Sequence, residues 1–412
     1  MEELKKGDTA MESNSNFDAV VAGHICLDII PGFIDEGRRE LDQIFMPGKV
    51  LNVAGAKIST GGAVSNTGAA LSILGACTRL MCKVGDDPFG DIVKKVLREK
   101  GIMEGISTSE LAPTAFSIVL SPPGIDRIFL HDPGVNDYFE CSDVDFDTVK
   151  RARLFHYGYP TAMREMYRND GDQLVEMYRK VKSLNVTTCM DLAVPAPNAE
   201  CSRVNWRHLL ERVLPFVDIV TPSIEEIYLM LRKEEYTRLC ESAPGVELID
   251  VMDMKVVQEL GEELLALGVK IAIIKCGKKG FYIRTQDSTV LSGMGKAVPP
   301  DLHNWGGREL LEEIYRVERV VSATGAGDTS IAGFLASFLA GRTIEQSIQM
   351  ACAVGACCVQ TFDALSGIKS MVETIADIEA GWEKERICLG SSHWKYDGVR
   401  KVWAGKRDTI IK

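Results

Sequence analysis

The chain has 412 residues, 46% of them hydrophobic, enough to bury one large α/β core or two smaller ones. A net charge of −11 and a pI near 5.2 argue against a nucleic-acid surface. No apolar run is long enough to cross a bilayer, so no membrane partner is expected.

Residues 1–16 are charged and polar, without the apolar stretch of a secretory signal, and read as a flexible arm. Twelve cysteines are scattered with no C-x-x-C pair, and Cys82, Cys189 and Cys276 lie in apolar runs. Thiols placed this way suit a reducing compartment, so a cytoplasmic protein is expected. Phe17 to Gly23 is β-branched and apolar, a buried strand that runs on to Asp28. A carboxylate just past such a strand is either a ligand group or a turn residue. Residues 29–60 mix apolar residues with Gly, Pro and charge, which predicts two strands standing off the main sheet. Gly61 and Gly62 then open a small-residue helix that carries Asn66 one turn in, where tight packing and ligand approach are both open.

Beyond this point strands and helices alternate. Strands are predicted at 78–84, 114–120, 127–131, 154–157, 186–190, 216–220 and 269–275, with a turn at Ser121–Gly124. Helices are predicted at 88–100, 172–183, 206–214, 224–231 and 254–267. That alternation argues for a parallel sheet covered on both faces. Lys275-Cys276-Gly277-Lys278-Lys279-Gly280 reads as a strand turning sharply into another at Tyr282. Residues 233–250 and the polar, irregular stretch 299–313 read as insertions, and residues from about 376 form a basic, aromatic tail.

The most informative stretch is Ser322-Ala323-Thr324-Gly325-Ala326-Gly327-Asp328-Thr329. Ile331, Phe334, Leu335, Phe338 and Leu339 follow at i, i+3, i+4, i+7 and i+8, so a helix begins near Gly327. Its first amides suit an anion, and the glycines let one come close. A carboxylate there repels phosphate, so Asp328 is either an ordinary N-cap or a base for an attacking hydroxyl. Neither a P-loop nor a full dinucleotide fingerprint is present.

Together these stretches resemble the ribokinase-like (PfkB) carbohydrate kinases over roughly residues 18–370. The early signature is Gly61-Gly62-Ala63-Val64-Ser65-Asn66-Thr67-Gly68 with Lys83-Val84-Gly85-Asp86-Asp87-Pro88-Phe89-Gly90, and the late one is Thr324 to Thr329. The resemblance implies a three-layer α/β/α fold with a central, mostly parallel sheet. A small β-sheet lid would come from residues 26–60 and 113–136, within a kinase domain spanning 17–375 and followed by an extension at 376–412.

It further implies an ATP-dependent kinase with Asp328 as base and the amides of Gly325, Ala326 and Gly327 as anion hole. Asp28, Gly61, Gly62, Asn66 and Asn136 would hold the substrate, and Arg127 would meet a carboxylate or phosphate on it. Ser223, Lys275, Gly277, Gly280 and Thr324 would border the nucleotide, with Glu226 reaching Mg2+ through water. Ser223 stands where the family has asparagine. Ser322 stands where many relatives have an acid linked to a monovalent cation, which leaves potassium activation unsupported. A nucleoside would want an aromatic slot, for which Phe33, Phe45 and Phe129 are candidates; a sugar or sugar acid is preferred. A binding protein that kept the fold and lost catalysis is the rival, opposed by the intact Gly-Ala-Gly-Asp. The surplus of apolar residues in 29–60 predicts a homodimer through the lid.

Overall fold

The computed structural model describes residues 17–37, 40–102, 104–125, 127–387, 389 and 393–411; the expected arm 1–16 lies outside them. In chain order the strands are β1 (Phe17–Gly23), β2 (Cys26–Phe33), β3 (Val53–Gly61), β4 (Thr78–Gly85), β5 (Ile106–Ser109), β6 (Phe116–Leu120), β7 (Ile128–Asp132), β8 (Ala152–Gly158), β9 (Thr187–Asp191), β10 (Ile219–Val220), β11 (Ile271–Lys275), β12 (Phe281–Thr285), β13 (Glu309–Glu312), β14 (Trp394–Asp397) and β15 (Val402–Gly405). The large sheet has the order β14-β15-β13-β12-β11-β10-β9-β8-β1-β4-β5. From β11 to β5 all neighbours are parallel, and the strands beyond β11 are antiparallel.

Period-two alternation sorts this sheet into two cores. Along β1, Val20 and Ala22 point into one apolar layer, with Phe155, Met190 and Ile274. Ala19 and Val21 point into the other, with Leu154, Ile271 and Ile273. The helices Asp172–Ser183, Trp206–Val213 and Met254–Ala266 cover the first layer. Ala326–Leu339 and Ile344–Cys358 cover the second through Ile331, Phe334, Ile348 and Ala351. No described helix is long and apolar enough to cross a membrane.

Four strands form the separate small sheet, ordered β3-β2-β6-β7. β2 leaves the end of β1 after His24 and Ile25, so the lid grows directly from a strand of the large sheet. The hairpin of β2 and β3 is antiparallel, and so is that of β6 and β7.

Two readings of the sequence need correction. The stretch 299–313 is not an irregular insertion: it holds the helix Leu302–Trp305 and β13, a fully buried strand of the main sheet. Its charges are matched inside the protein. Arg308 is completely buried between Asp408 at 2.8 Å and Glu345 at 3.0 Å. The tail beyond 376 is likewise not an appendage, because β15 pairs with β13 and β14 closes the edge. The 233–250 stretch fits an insertion better, since the helix Lys233–Ser242 buries none of its residues.

Candidate active site

The parallel strands end along one rim, and the polar groups collect there. β1 leads into His24 and β8 into Tyr159, while β9 ends on Asp191 and β11 on Lys275. Ligands of open α/β sheets sit outside these carboxyl ends. The Ala326–Leu339 helix aims its first turn at the same place and carries the buried Asp328. The turn into it requires Gly325: its φ is 76°, and a Cβ there would lie 2.3 Å from the Ala364 methyl.

Asp328 is held from three sides. Asn66 Nδ2 donates to its Oδ2 at 2.9 Å, and the Tyr159 hydroxyl donates to both oxygens at 2.7 and 2.8 Å. Thr67 Oγ1 donates to its backbone carbonyl at 3.3 Å. Burial raises the Asp328 pKa, and Asn66, Lys275 and Tyr159 offset only part of the rise. The Ala326 amide makes a long bond to the Ala323 carbonyl at 3.3 Å, so the helix's open first-turn donors are centred on Gly327.

Lys275 adds a cation beside that turn. A Cβ on Gly327 would lie 3.7 Å from its ammonium, which itself donates to Asp191 Oδ1 at 2.8 Å. Burial works against the ammonium, but Asp191 and Glu226 outweigh it and push the Lys275 pKa up. Burial in turn pushes both carboxyls up. Asp191 Oδ2 is buried with no partner among the described residues. Glu226 closes a capping box on Ser223, accepting from its amide at 2.6 Å, and a β-bridge joins Ser223 to Lys275.

Asp28 lies across the hairpin from β3, and Gly61 is glycine for its sake: a Cβ there would meet Asp28 Oδ2 at 2.3 Å. Burial lifts its pKa to about 6. Gly62, at φ 88°, folds onto the His24 carbonyl. Asn136 is fully buried. Its amide holds both backbone groups of Ile25, at 2.8 and 3.5 Å, so it anchors the root of the lid.

The lid reaches over the rim. Arg127 donates to the Thr324 hydroxyl, and Lys57 pairs with Asp363. A Cβ on Gly277, at φ 52°, would only touch Ile249 Cγ2 at 3.9 Å, whereas a Cβ on Gly280 would lie 1.9 Å from the Glu312 carbonyl. Sequence reasoning missed Tyr159, Asp191 and His24. Asp191 left a signal, a carboxylate ending the buried run Thr187-Thr188-Cys189-Met190. Tyr159 left none, because its left-handed backbone (φ 67°) is visible only once folded.

Residues 25–371 match the pfkB family carbohydrate kinase. The chain belongs to this family. An uncharacterized sugar kinase from Archaeoglobus fulgidus is 24% identical over 296 residues, covering 72% of this chain and 96% of that protein. Among solved structures, the Arabidopsis thaliana ribokinase complexed with ribose and ATP aligns at a TM-score of 0.63 and 18% identity. That match covers 88% of this chain and 98% of the other. The fructokinase with bound ATP from Xylella fastidiosa aligns at 0.64, also at 18% identity, with 88% and 98% covered. The PfkB fold is therefore shared, and both signatures meet in it: Asn66 of the early one bonds Asp328 of the late one.

Proposed function

We propose that this PfkB protein transfers the γ-phosphoryl group of ATP to a hydroxyl of a sugar or sugar acid. The observation that carries the proposal is the buried Asp328 at a helix start, with Lys275 beside it and a lid above it. Asp328 takes the hydroxyl proton, the alkoxide oxygen bonds to the γ-phosphorus, and the bond to the leaving ADP oxygen breaks. Charge on the transferring group falls on the Gly327 end of the helix, flanked by Gly325 and Ala326, and on Lys275. Tyr159 and Asn66 keep the carboxylate facing one way. Asp28, with Gly61 and Gly62 leaving it room, accepts from neighbouring hydroxyls of the substrate.

ATP fits the side of the rim bordered by Gly277, Ser223 and Thr324, since the Arabidopsis and Xylella relatives are described with ATP. The oxygen donors present suit Mg2+. Asp191, through its unpartnered Oδ2, and Glu226 through water would hold it. The ion, when bound, neutralises phosphate charge.

Arg127, poised above Thr324, favours a substrate with an anionic group. A nucleoside slot is disfavoured because Phe33 and Phe45 pack edge to face at 6.0 Å and Arg127 lies over the Phe129 ring at 5.9 Å. A panel of sugars, sugar acids and nucleosides, assayed for ADP release with ATP and Mg2+, tests the proposal. Turnover with a sugar or sugar acid is expected. Turnover with nucleosides alone would overturn the substrate class, and ADP release with none of them would favour a binding protein.

A homodimer through the lid belongs to the same proposal. The lid leaves Ile34, Ile58, Phe129 and Leu130 each 43–52% exposed, an apolar surface that small sheets tend to cover. Light scattering at micromolar concentration is expected to give twice the chain mass; a monomer mass would contradict it.

A further inference from the structure

At the root of the lid, three metal-ligating side chains converge that the phosphoryl-transfer scheme does not use. His24 lies between β1 and β2, Cys26 opens β2, and His131 sits on β7. One ligand atom from each falls within 4.8 Å of the others. The two imidazoles face each other through Nε2, 3.4 Å apart. A tetrahedral ion with Zn–N bonds of about 2.1 Å needs its two nitrogens about 3.4 Å apart, which is the spacing found. The Cys26 thiol lies 3.4 Å from Asp28 Oδ1, where a carboxylate is ready to take its proton. His131 Nδ1 is held by the Ser117 hydroxyl at 3.0 Å, the kind of outer contact that orients a ligating ring.

A plain imidazole pair accounts for less of this. Only one ring of a neutral pair can donate across the gap, and a pair alone gives no role to the Cys26 thiol that converges on it. His131 is exposed on the lid, which gives an ion a path in.

We propose that His24, Cys26 and His131 form a site for a borderline-soft divalent ion such as Zn2+, which joins the lid to the end of β1. On binding, the Cys26 S–H bond breaks, its proton passes to Asp28 or solvent, and a metal–thiolate bond forms. The fourth position is left to water or to Asp28. An ion here ties β7 to the β1–β2 link and lies against Asp28, so it holds the lid and excludes a hydroxyl from that carboxylate. Binding of the ion does not depend on the kinase reading and is measured without any sugar.

The test is a titration of metal-free, full-length protein with Co2+ alone. The expected result is one equivalent with the visible bands of four-coordinate cobalt and a near-ultraviolet thiolate charge-transfer band. Cys26→Ser removes the near-ultraviolet band. His131→Ala, on an exposed position, weakens binding by roughly tenfold or more. Cys77→Ser, at an exposed thiol elsewhere, changes neither. Circular dichroism confirms that each variant is folded, and if one is not, the other decides. Wild-type binding retained by either folded variant, or no four-coordinate spectrum in the wild type, overturns the site.

Discussion

Asn66 Nδ2 donates to Asp328 Oδ2 at 2.9 Å, a contact between residues 262 positions apart in the chain. It ties the helix that follows Gly61 and Gly62 to the turn that opens the Ala326–Leu339 helix. The bond also favours the ionised carboxylate against the burial that disfavours it.

Removing that donor gives the first prediction. Asn66→Leu leaves burial less opposed, so the Asp328 pKa rises further. A base with a higher pKa ionises at higher pH. The acid limb of the turnover-versus-pH profile should therefore move up by about one unit, the worth of one hydrogen bond. An unmoved limb would mean that Asn66 does not tune the base.

Lys275 sits among three carboxylates that it keeps compatible with burial. Lys275→Met strands Asp191 beside Glu226 without a cation. Breaking a buried pair this way costs about 3–5 kcal/mol, readable as a lower urea midpoint. Asp191→Asn in the same chain should recover most of that stability while ATP binding stays weak. Recovery of both together would show that Lys275 acts only on the fold.

Asp28 predicts a pH effect on substrate affinity. Its folded pKa is raised to about 6 from an ordinary value near 3.8, so folding favours its protonated form. The stability it contributes is present at acid pH and lost as pH rises toward 6. Acceptance of substrate hydroxyls runs the other way, because the ionised form accepts best. KM for the sugar should fall as pH rises through about 6, and Asp28→Asn should flatten that dependence while raising KM throughout.

The two glycines after β11 should behave differently. Gly277→Val brings a Cβ no nearer than 3.9 Å to Ile249, but a β-branched residue is strained at φ 52°, so the melting temperature should fall while the folded protein shows a raised KM for ATP and a KM for sugar little changed. Gly280→Val drives a side chain into the Glu312 carbonyl and should lose the β12–β13 pairing, seen as a loss of folded yield. A raised KM for sugar alone in Gly277→Val would place the nucleotide elsewhere.

How much of this was legible beforehand follows from which interactions are local. The helices Asp172–Ser183 and Ile224–Leu231 match their apolar spacing to the residue, because one face of each meets the core. Asp328 and Asn66 were legible as motif members, though nothing local says that they touch. The stretch 299–313 misled because its charges look solvated. Arg308 finds Asp408 exactly one hundred positions later, in a tail whose own pattern is polar and aromatic. Strand β13 is thus completed by residues that no window around it contains. Tyr159 was invisible for a related reason, since its reach to Asp328 depends on a backbone turn after β8.

The central claim is that Asp328 is a base; the helix cap is Gly325, and Asp328 lies inside the first turn with no capping bond from its side chain. Asp328→Asn keeps the side chain's size, so a purely structural role within the first turn predicts near-normal stability and turnover. A general base supplies about 10²- to 10⁴-fold, so turnover with the sugar that the panel identifies should fall by at least the lower figure. ATP affinity should hold or improve, because a carboxylate beside the phosphate is gone. The deciding measurement is turnover of Asp328→Asn beside wild type, with melting temperature and ATP affinity taken on the same preparation. A folded variant that binds ATP and turns over at least 10²-fold more slowly is the predicted result; a folded variant with near-normal turnover would contradict the account.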